Sequence, residues 1–157
     1  MFYFNEKWKQ EKKNPPLLFN LAELQNECSK RFKISPDETL KIAQELYEKK
    51  LVTYPRTDSQ YLTEDMRDTA VYLLGAIRRT FLPDSTNGDV EIGRIINNSK
   101  VSDHHAIIPT QNIQRIDKNA LTSGEKAVLE LICLRLMCAV SQPYEYSETI
   151  VVLRCAD

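Results

Sequence analysis

The spacing of apolar residues predicts a helical body for this chain. A first apolar face recurs at i, i+3, i+7 and i+11, which is helical spacing; its members are Leu21, Leu24, Cys28 and Phe32. A second stripe follows, with members Leu40, Ala43, Leu46 and Tyr47. Asn20 and Ser35 precede these stripes, each with a glutamate three residues later, and such pairs cap helix starts. We therefore predict one helix from residue 21 and another from Pro36 to about Lys49, with proline at its first position.

Two longer helices are predicted further along the chain. Residues 63–80 keep helical spacing of apolar residues, with Thr63 at the start. Residues 127–140 are apolar almost all round, which is typical of a helix in the middle of a core. Thr122 and Glu125 form a capping-box pair before this last helix, and Pro143 ends it.

The two ends of the chain predict strands. Residues 2–9 alternate loosely between apolar and polar side chains, and residues 146–155 are rich in strand-forming residues. Because a terminal strand needs neighbours, we expect both ends to belong to one sheet whose remainder lies in a larger protein. The predicted domains are therefore a main domain at 16–142 and edge segments of an adjoining β domain at 1–15 and 143–157.

Short connecting segments complete the predicted fold. Residues 51–54 are β-prone and Pro55 ends them, while residues 82–93 carry turn-forming residues such as Asn87-Gly88. Two short helices and a short strand in this order resemble a helix-turn-helix or winged-helix core. The expected fold class is mainly α with short β segments, with the terminal strands contributed by an incomplete β domain.

Composition narrows the class of protein. The chain has 157 residues, of which 42% are hydrophobic and 27% charged, so we expect a globular domain with a core of its own. Neither a bilayer-spanning stretch nor a signal peptide is present in the sequence, which predicts a cytoplasmic protein without membrane contact. The net charge of −1 is not that of a free-standing nucleic-acid binder. Local basic charge occurs near the start, where a solvated strand end is slightly favoured over phosphate contact; its members are Lys7, Lys9, Lys12 and Lys13.

The four cysteines predict buried free thiols in a reducing compartment. They are Cys28, Cys133, Cys138 and Cys155, and no Cys-x-x-Cys pair occurs. A zinc site is the minor alternative, because two histidines and scattered cysteines give no ligand spacing.

The segment from Thr53 to Ser59 carries the densest chemistry. It places the phenol of Tyr54 two residues from the guanidinium of Arg56 and then adds Thr57 and Asp58. A phenol can attack phosphorus and form a covalent ester, and a guanidinium beside it can hold the phosphate under attack. A tyrosine hydroxyl has an ordinary pKa of about 10, so a nearby cation helps it to react at neutral pH.

A second segment contains both histidines of the chain. His104 and His105 lie about 50 positions beyond Tyr54 and are followed by Ala106-Ile107-Ile108, which should anchor the segment in the core. An imidazole can donate to a phosphate oxygen or carry a proton near neutral pH. By itself a His-His pair in a loop is more often structural than catalytic.

The two segments together resemble those of the type IA DNA topoisomerases. Tyr54-Pro55-Arg56-Thr57-Asp58-Ser59 and His104-His105-Ala106-Ile107-Ile108-Pro109-Thr110 stand in that family's order, and the proline and double histidine are similar to its topoisomerase III branch. Pro15-Pro16-Leu17-Leu18-Phe19-Asn20-Leu21 resembles the family's entry into its tyrosine-bearing domain. The resemblance covers nearly the whole chain.

The resemblance implies a role for each motif residue. Tyr54 takes the place of the tyrosine that attacks one strand of single-stranded DNA and becomes linked to its 5′ phosphate. Arg56 and His104 take the places of the residues beside the scissile phosphate. Four further residues are expected among the DNA-binding contacts: Thr57, Asp58, Ser59 and His105. Of these, His105 is expected to have a positional role.

The resemblance also implies parts that this sequence lacks. The family's Mg²⁺ is held by an acidic domain with an Asp-x-Asp pair, and no Asp-x-Asp occurs here. We therefore expect no metal ligand and no cofactor in this chain, which needs the missing domains as partners and should not cleave DNA alone. Tyr54 and Arg56 should be partly exposed in the cleft that faces those domains, and the parent protein should act at the nucleoid in the cytoplasm.

Plainer hypotheses remain beside this one. The chain could be a helix-turn-helix module that binds duplex DNA without catalysis. Its second helix offers Lys41, Gln44 and Lys49, but it also carries carboxylates that would repel phosphates: Asp37, Glu38, Glu45 and Glu48. It could also be an interaction domain that ignores DNA. Tyr54 could simply pack on the core, Arg56 and Asp58 could form a surface ion pair, and Asp58-Ser59 could form a turn.

Overall fold

The computed structural model describes residues 2–82 and 88–155 and contains four helices between two long strands. The elements in chain order are β1 (Phe2–Lys13), α1 (Leu21–Phe32), α2 (Pro36–Glu48), α3 (Arg67–Phe81), α4 (Ser123–Ala139) and β2 (Tyr144–Cys155). Short 3₁₀ turns connect α2 to α3 and α3 to α4. Part of the predicted turn at 82–93, namely residues 83–87, lies outside the described residues. The mainly helical class with terminal strands is confirmed.

The predicted capping residues begin three of the four helices. The side chain of Asn20 accepts the backbone N–H of Glu23 at 2.8 Å, and the hydroxyl of Ser35 accepts that of Glu38 at 3.2 Å. Thr122 and Glu125 form a reciprocal capping box at the start of α4. These side chains satisfy backbone donors that the first helical turn leaves free.

The third helix begins later than predicted. Thr63 precedes a 3₁₀ turn, Glu64–Met66, and its side chain makes no capping bond. Instead the backbone N–H of Glu64 donates to the side chain of Asn98 at 2.8 Å. A partner 34 residues away therefore replaces the local cap that the sequence suggested.

Helix α4 lies at the centre of the core, as its apolar sequence predicts. It packs against both α2 and α3, and most of its apolar side chains are buried: Val128, Leu129, Leu131, Ile132 and Leu136. Leu134 is an exception and is exposed. The core that forms around α4 supports the segments of the candidate site described below.

The two chain ends pair with each other along a two-stranded antiparallel ribbon. The register runs from Phe2 opposite Cys155 to Lys13 opposite Tyr144. Trp8 is 71% exposed and Leu153 is 68% exposed, so the described part of the chain does not cover the ribbon. Lys12 forms an exposed ion pair with Glu145 at 2.6 Å, in keeping with a solvated basic segment. The shared sheet was expected; the division into domains at residues 16 and 142 stays a prediction.

The strand predicted at residues 51–54 is reduced to a single bridge. Val52 pairs with Pro109, and within the described residues no hairpin follows α2 that could serve as a wing. Residues 33–35 join α1 to α2, with Lys33 in the left-handed region at φ 59°. The helix-turn-helix likeness thus stays a prediction.

The cysteine prediction holds for two thiols and fails for one. Cys28 and Cys133 are buried and free, whereas Cys138 is exposed, because it lies on the outward side of α4. The side chain of Cys155 lies outside what the structure describes. Among described residues, no group of three or more His, Cys, Asp or Glu side chains could hold a metal ion. No described helix has the length and apolar character needed to cross a membrane.

Candidate active site

The extended segment before Tyr54 is fixed by the segment that follows the two histidines. The backbone N–H of Thr53 donates to the carbonyl of Ile108 at 2.9 Å, and that of Thr110 donates to the carbonyl of Leu51 at 2.9 Å. Val52 and Pro109 form the antiparallel bridge between these contacts. The two sequence motifs therefore lie side by side.

The side chain of Thr53 adds a second connection between the same segments. Its hydroxyl donates to the carbonyl of Ala106 at 3.3 Å and accepts the backbone N–H of Ile108 at 3.0 Å. Ala106 and Ile108 are buried, so the residue just before Tyr54 is tied to the core.

The segment that precedes α1 is the third part of the site. The backbone N–H of Ile107 donates to the carbonyl of Phe19 at 2.8 Å, and that of Leu21 donates to the carbonyl of Thr57 at 3.0 Å. Phe19 is fully buried, and the guanidinium of Arg135 lies 3.9 Å from the centre of its ring. Residues 19–21 thus contact both motifs and hold them together.

Thr57 and Ser59 point into the protein and are buried. The hydroxyl of Thr57 donates to the carbonyl of His104 at 3.0 Å and accepts the N–H of Ser59 at 3.2 Å. The hydroxyl of Ser59 donates to the carbonyl of Lys100 at 2.8 Å. Both hydroxyls therefore bind the protein backbone in this structure, and their predicted contact with DNA stays a prediction.

Two aromatic rings contact the ring of Tyr54. The ring centres of Tyr54 and His104 are 4.4 Å apart, with 41° between the ring planes. The ring of Tyr47, on α2, lies 5.5 Å from that of Tyr54 in an edge-to-face arrangement at 77°. Tyr54 is half-buried and His104 is exposed, so the phenol and the imidazole meet at the surface.

Sequence reasoning missed Tyr47 as a neighbour of Tyr54, because it was assigned to the buried stripe of α2. The side chain is 44% exposed. A signal existed: Tyr47 is the only aromatic member of that stripe and lies at the helix end that leads into the Tyr54 segment.

Arg56 extends from the same surface. Its side chain is exposed and forms no hydrogen bond or ion pair with any residue in the described ranges. Asp58, two residues on, is also exposed and does not pair with it, so the ion-pair interpretation is not what the structure shows. A guanidinium with no internal partner is available to an anion.

His105 differs from its neighbour His104. It is half-buried, and its Nδ1 lies 2.8 Å from the carbonyl oxygen of Ala106, to which it donates when Nδ1 carries the proton. The side chain therefore contacts the backbone of its own segment, and its positional role at a DNA site stays a prediction.

An ion pair between the exposed side chain of Lys49 and the buried carboxylate of Glu125 attaches the end of α2 to α4. Lys49 donates to Glu125 of α4 at 2.6 Å, and the side chain of Glu125 is 1% exposed. Burial raises the pKa of Glu125, but hydrogen bonds from Lys49 and Thr122 outweigh it, so the pKa lies below its usual range. The carboxylate stays ionised and bound.

The donor set at this surface does not fit a magnesium ion. Tyr54, Arg56 and His104 provide a phenol, a cation and an imidazole, whereas Mg²⁺ is usually held by one or two carboxylates together with phosphate oxygens and waters. Asp58 is the single carboxylate of the 53–59 segment, and it belongs to no described cluster of potential ligands. The arrangement can instead bind an anion and present a nucleophile to it.

Comparison with known proteins gives a consistent result. A family model described as DNA topoisomerase matches residues 5–157. The DNA topoisomerase 3 of Staphylococcus saprophyticus is 44% identical over 150 residues, which cover 92% of this chain and 21% of that protein. The DNA topoisomerase 3 of Staphylococcus aureus MRSA252 is 42% identical over 154 residues, again with 21% of its length covered.

A solved structure agrees with these relatives. The full-length topoisomerase I of Thermotoga maritima is similar over 96% of this chain, with a TM-score of 0.69 and 29% sequence identity. The match covers 24% of that protein. The chain thus spans about a fifth of the length of the curated relatives it matches.

Proposed function

This chain belongs to the DNA topoisomerase family, and we propose that it is the strand-cleaving domain of a type IA enzyme, with Tyr54 as the nucleophile. The substrate is single-stranded DNA, and the product is a transient tyrosyl ester of the 5′ phosphate. Strand passage followed by resealing then relaxes or unlinks DNA in the bacterial cytoplasm, at the nucleoid.

One observation carries the proposal. Tyr54 and His104 are 50 positions apart in the sequence, yet their ring centres are 4.4 Å apart at an exposed surface. Arg56 extends from the same loop without a partner in the described part of the chain. A phenol, an imidazole and a free guanidinium form a site suited to a phosphodiester.

The chemistry follows from these groups. The oxygen of Tyr54 attacks phosphorus, the bond from phosphorus to the 3′ oxygen breaks, and the phenolic proton is lost as the leaving oxygen gains one. Arg56 and His104 bind the non-bridging oxygens, where negative charge develops. Because the tyrosyl ester conserves the energy of the broken bond, the free 3′ hydroxyl can reverse the reaction without a nucleotide.

The remaining parts of the enzyme are expected outside this chain. The site residues do not fit Mg²⁺, so we propose that the metal ion is held elsewhere in the parent protein and that this chain alone is inactive. The uncovered ribbon of β1 and β2 is proposed as the joint to the adjoining β domain, which accounts for exposed side chains such as Trp8 and Leu153.

The duplex-binding alternative receives no support from α2. One groove of about 540 Å³ between α2 and the start of α4 is lined by three carboxylates and one cation: Asp37, Glu38, Glu45 and Lys41. A phosphate backbone would be repelled from this acidic face. The helix that a helix-turn-helix module would place in the groove of DNA is thus poorly charged for that task.

The test restores the complete enzyme. The full-length parent protein is incubated with Mg²⁺ and a single-stranded oligonucleotide labelled at its 3′ end, and the mixture is then denatured. A labelled covalent adduct is expected from the wild type and from Tyr72→Phe, a matched control on α3, and no adduct from Tyr54→Phe. An undiminished adduct in Tyr54→Phe would exclude Tyr54 as the nucleophile.

A further inference from the structure

We propose that Tyr47 is a positioning residue for Tyr54, an inference that rests on the proposed function. The two rings are 5.5 Å apart at 77°, an edge-to-face contact in which the positive edge of one ring meets the negative face of the other. Such a contact favours one orientation of the Tyr54 ring over the others that its side-chain torsions allow.

Tyr47 is itself held in a fixed place. It lies in the last turn of α2, and its carbonyl accepts the backbone N–H of Lys50 at 2.8 Å. The preceding residue, Leu46, is fully buried, and its carbonyl accepts the N–H of Leu51 at 2.9 Å. The ion pair of Lys49 with Glu125 then attaches this end of α2 to α4. The backbone that carries the ring of Tyr47 is therefore firmly held.

The ring of Tyr54 needs a neighbour that fixes its orientation. The bonds of Thr53 fix the backbone just before it, but the phenol extends beyond them and is half-buried. Among described aromatic side chains, its ring neighbours are Tyr47 and His104. In our proposal His104 also binds the phosphate, so Tyr47 is the neighbour left to orient the phenol. A nucleophile that is already oriented reacts faster, because its freedom is restricted before the reaction starts.

The ring of Tyr47 does not serve to fill the core. Its side chain is 44% exposed, so its removal opens no large internal cavity. An alternative use of an exposed ring is to stack on a nucleobase, which would affect DNA binding rather than the cleavage step. The two roles separate in kinetics, because a positioning residue acts on the rate constant and a binding residue acts on the dissociation constant.

The experiment uses the full-length parent enzyme with Mg²⁺ in single-turnover cleavage of a single-stranded oligonucleotide. Tyr47→Ala should lower the cleavage rate constant by about 10- to 100-fold while the oligonucleotide dissociation constant changes less than about twofold. Tyr47→Phe keeps the ring and should cleave at nearly the wild-type rate. Tyr47→Leu keeps bulk without the ring and should resemble Tyr47→Ala. Tyr72→Ala, which truncates a tyrosine of similar exposure on α3, should leave both constants unchanged.

Several outcomes decide the matter. If Tyr47→Ala and Tyr47→Leu cleave with the wild-type rate constant while Tyr54→Phe is inactive, this inference is overturned and the proposed function still holds. A loss that appears only in the dissociation constant also overturns it, in favour of base stacking. An adduct formed by Tyr54→Phe instead removes the proposed function itself. If Tyr47→Ala folds poorly, judged by its thermal unfolding midpoint, the comparison of Tyr47→Leu with Tyr47→Phe gives the answer.

Discussion

The side-chain hydroxyl of Thr57 donates a hydrogen bond of 3.0 Å to the backbone carbonyl of His104, and through it the tyrosine segment holds the histidine segment in place. The same hydroxyl accepts the N–H of Ser59, so the loop after Tyr54 is closed on itself as well. Thr57 is buried. Its role in this structure is to set the distance between the two segments.

Thr57→Val should destabilise the chain and slow catalysis together. The substitution keeps the shape but leaves the carbonyl of His104 and the N–H of Ser59 without their buried partner, at a cost of about 1–3 kcal/mol. Urea unfolding of the chain measures the loss, and oligonucleotide cleavage by the full-length protein measures the effect on the site. Thr57→Ser keeps the hydroxyl and is the matched control. Equal stability of Thr57→Val and Thr57→Ser would show that this hydrogen bond contributes nothing.

Arg56→Ala should impair cleavage and leave folding unchanged. The exposed guanidinium has no partner in the described part of the chain, so the free energy of unfolding should change by less than about 0.5 kcal/mol. Loss of charge stabilisation in the transition state should slow cleavage by about 100-fold or more. Single-turnover cleavage by the full-length protein is the measurement.

Arg56→Lys separates charge from geometry. Lysine keeps the cation but not the planar fork that binds two phosphate oxygens, so an intermediate rate is expected.

His104→Ala should also slow cleavage, since it removes the imidazole beside Tyr54. Unchanged rates in these variants would exclude the altered residues from the mechanism.

The ion pair between Lys49 and Glu125 makes part of the stability depend on pH. The pKa of Glu125 in the folded chain lies below its ordinary value of 4.5, because hydrogen bonds from Lys49 and Thr122 outweigh the opposing effect of burial. The contribution is therefore complete above about pH 4.5 and is lost as the pH falls through the folded-state pKa. The stability of the wild type should decrease more steeply below about pH 4.5 than that of Glu125→Gln.

The control for this effect is Glu130→Gln, which alters an exposed glutamate on the same helix. Urea midpoints measured between about pH 7 and pH 3 give the comparison. Parallel pH curves for the wild type and Glu125→Gln would refute the assignment, whereas Glu130→Gln should follow the wild type.

The cysteines should differ sharply in reactivity. Cys138 is exposed and should react with a thiol reagent in the native chain. Cys28 and Cys133 are buried, and burial raises the pKa of Cys28 to about 11 and that of Cys133 to about 12. Both thiols are therefore protonated at neutral pH. They should react only on unfolding, since the thiolate is the reactive form.

Labelling in a Cys155→Ser background, with and without denaturant, counts these thiols. We expect one thiol to react rapidly with the reagent before unfolding and two more to react after unfolding. Fast labelling that persists in Cys138→Ser would contradict the assignment.

The local parts of the fold could be predicted from sequence because their causes are local. Asn20, Ser35 and Thr122 cap helices through residues three positions away, and the apolar stripes reflect helical geometry. The start of α3 was misplaced because its cap comes from Asn98, which no nearby pattern indicates. Cys138 was misplaced because an apolar helix still has one outward side.

The geometry of the candidate site could not be predicted from spacing. The contact of Tyr54 with His104 depends on the pairing of Thr53 with Ile108, and only the family resemblance suggested it. Thr57 and Ser59 looked like ligand contacts because they are polar and belong to the motif. Their burial is decided by the carbonyls of His104 and Lys100, which are distant in sequence.

The long connections within the site have a consequence for how the chain acquires its reactivity. Thr57 reaches across 47 residues to His104, and Thr53 reaches across 53 residues to Ala106. Contacts that close such long loops carry an entropic cost that favours late formation in folding. A newly made or partly unfolded chain would have its tyrosine but not the surroundings that make it reactive, and could not form stray covalent links to DNA.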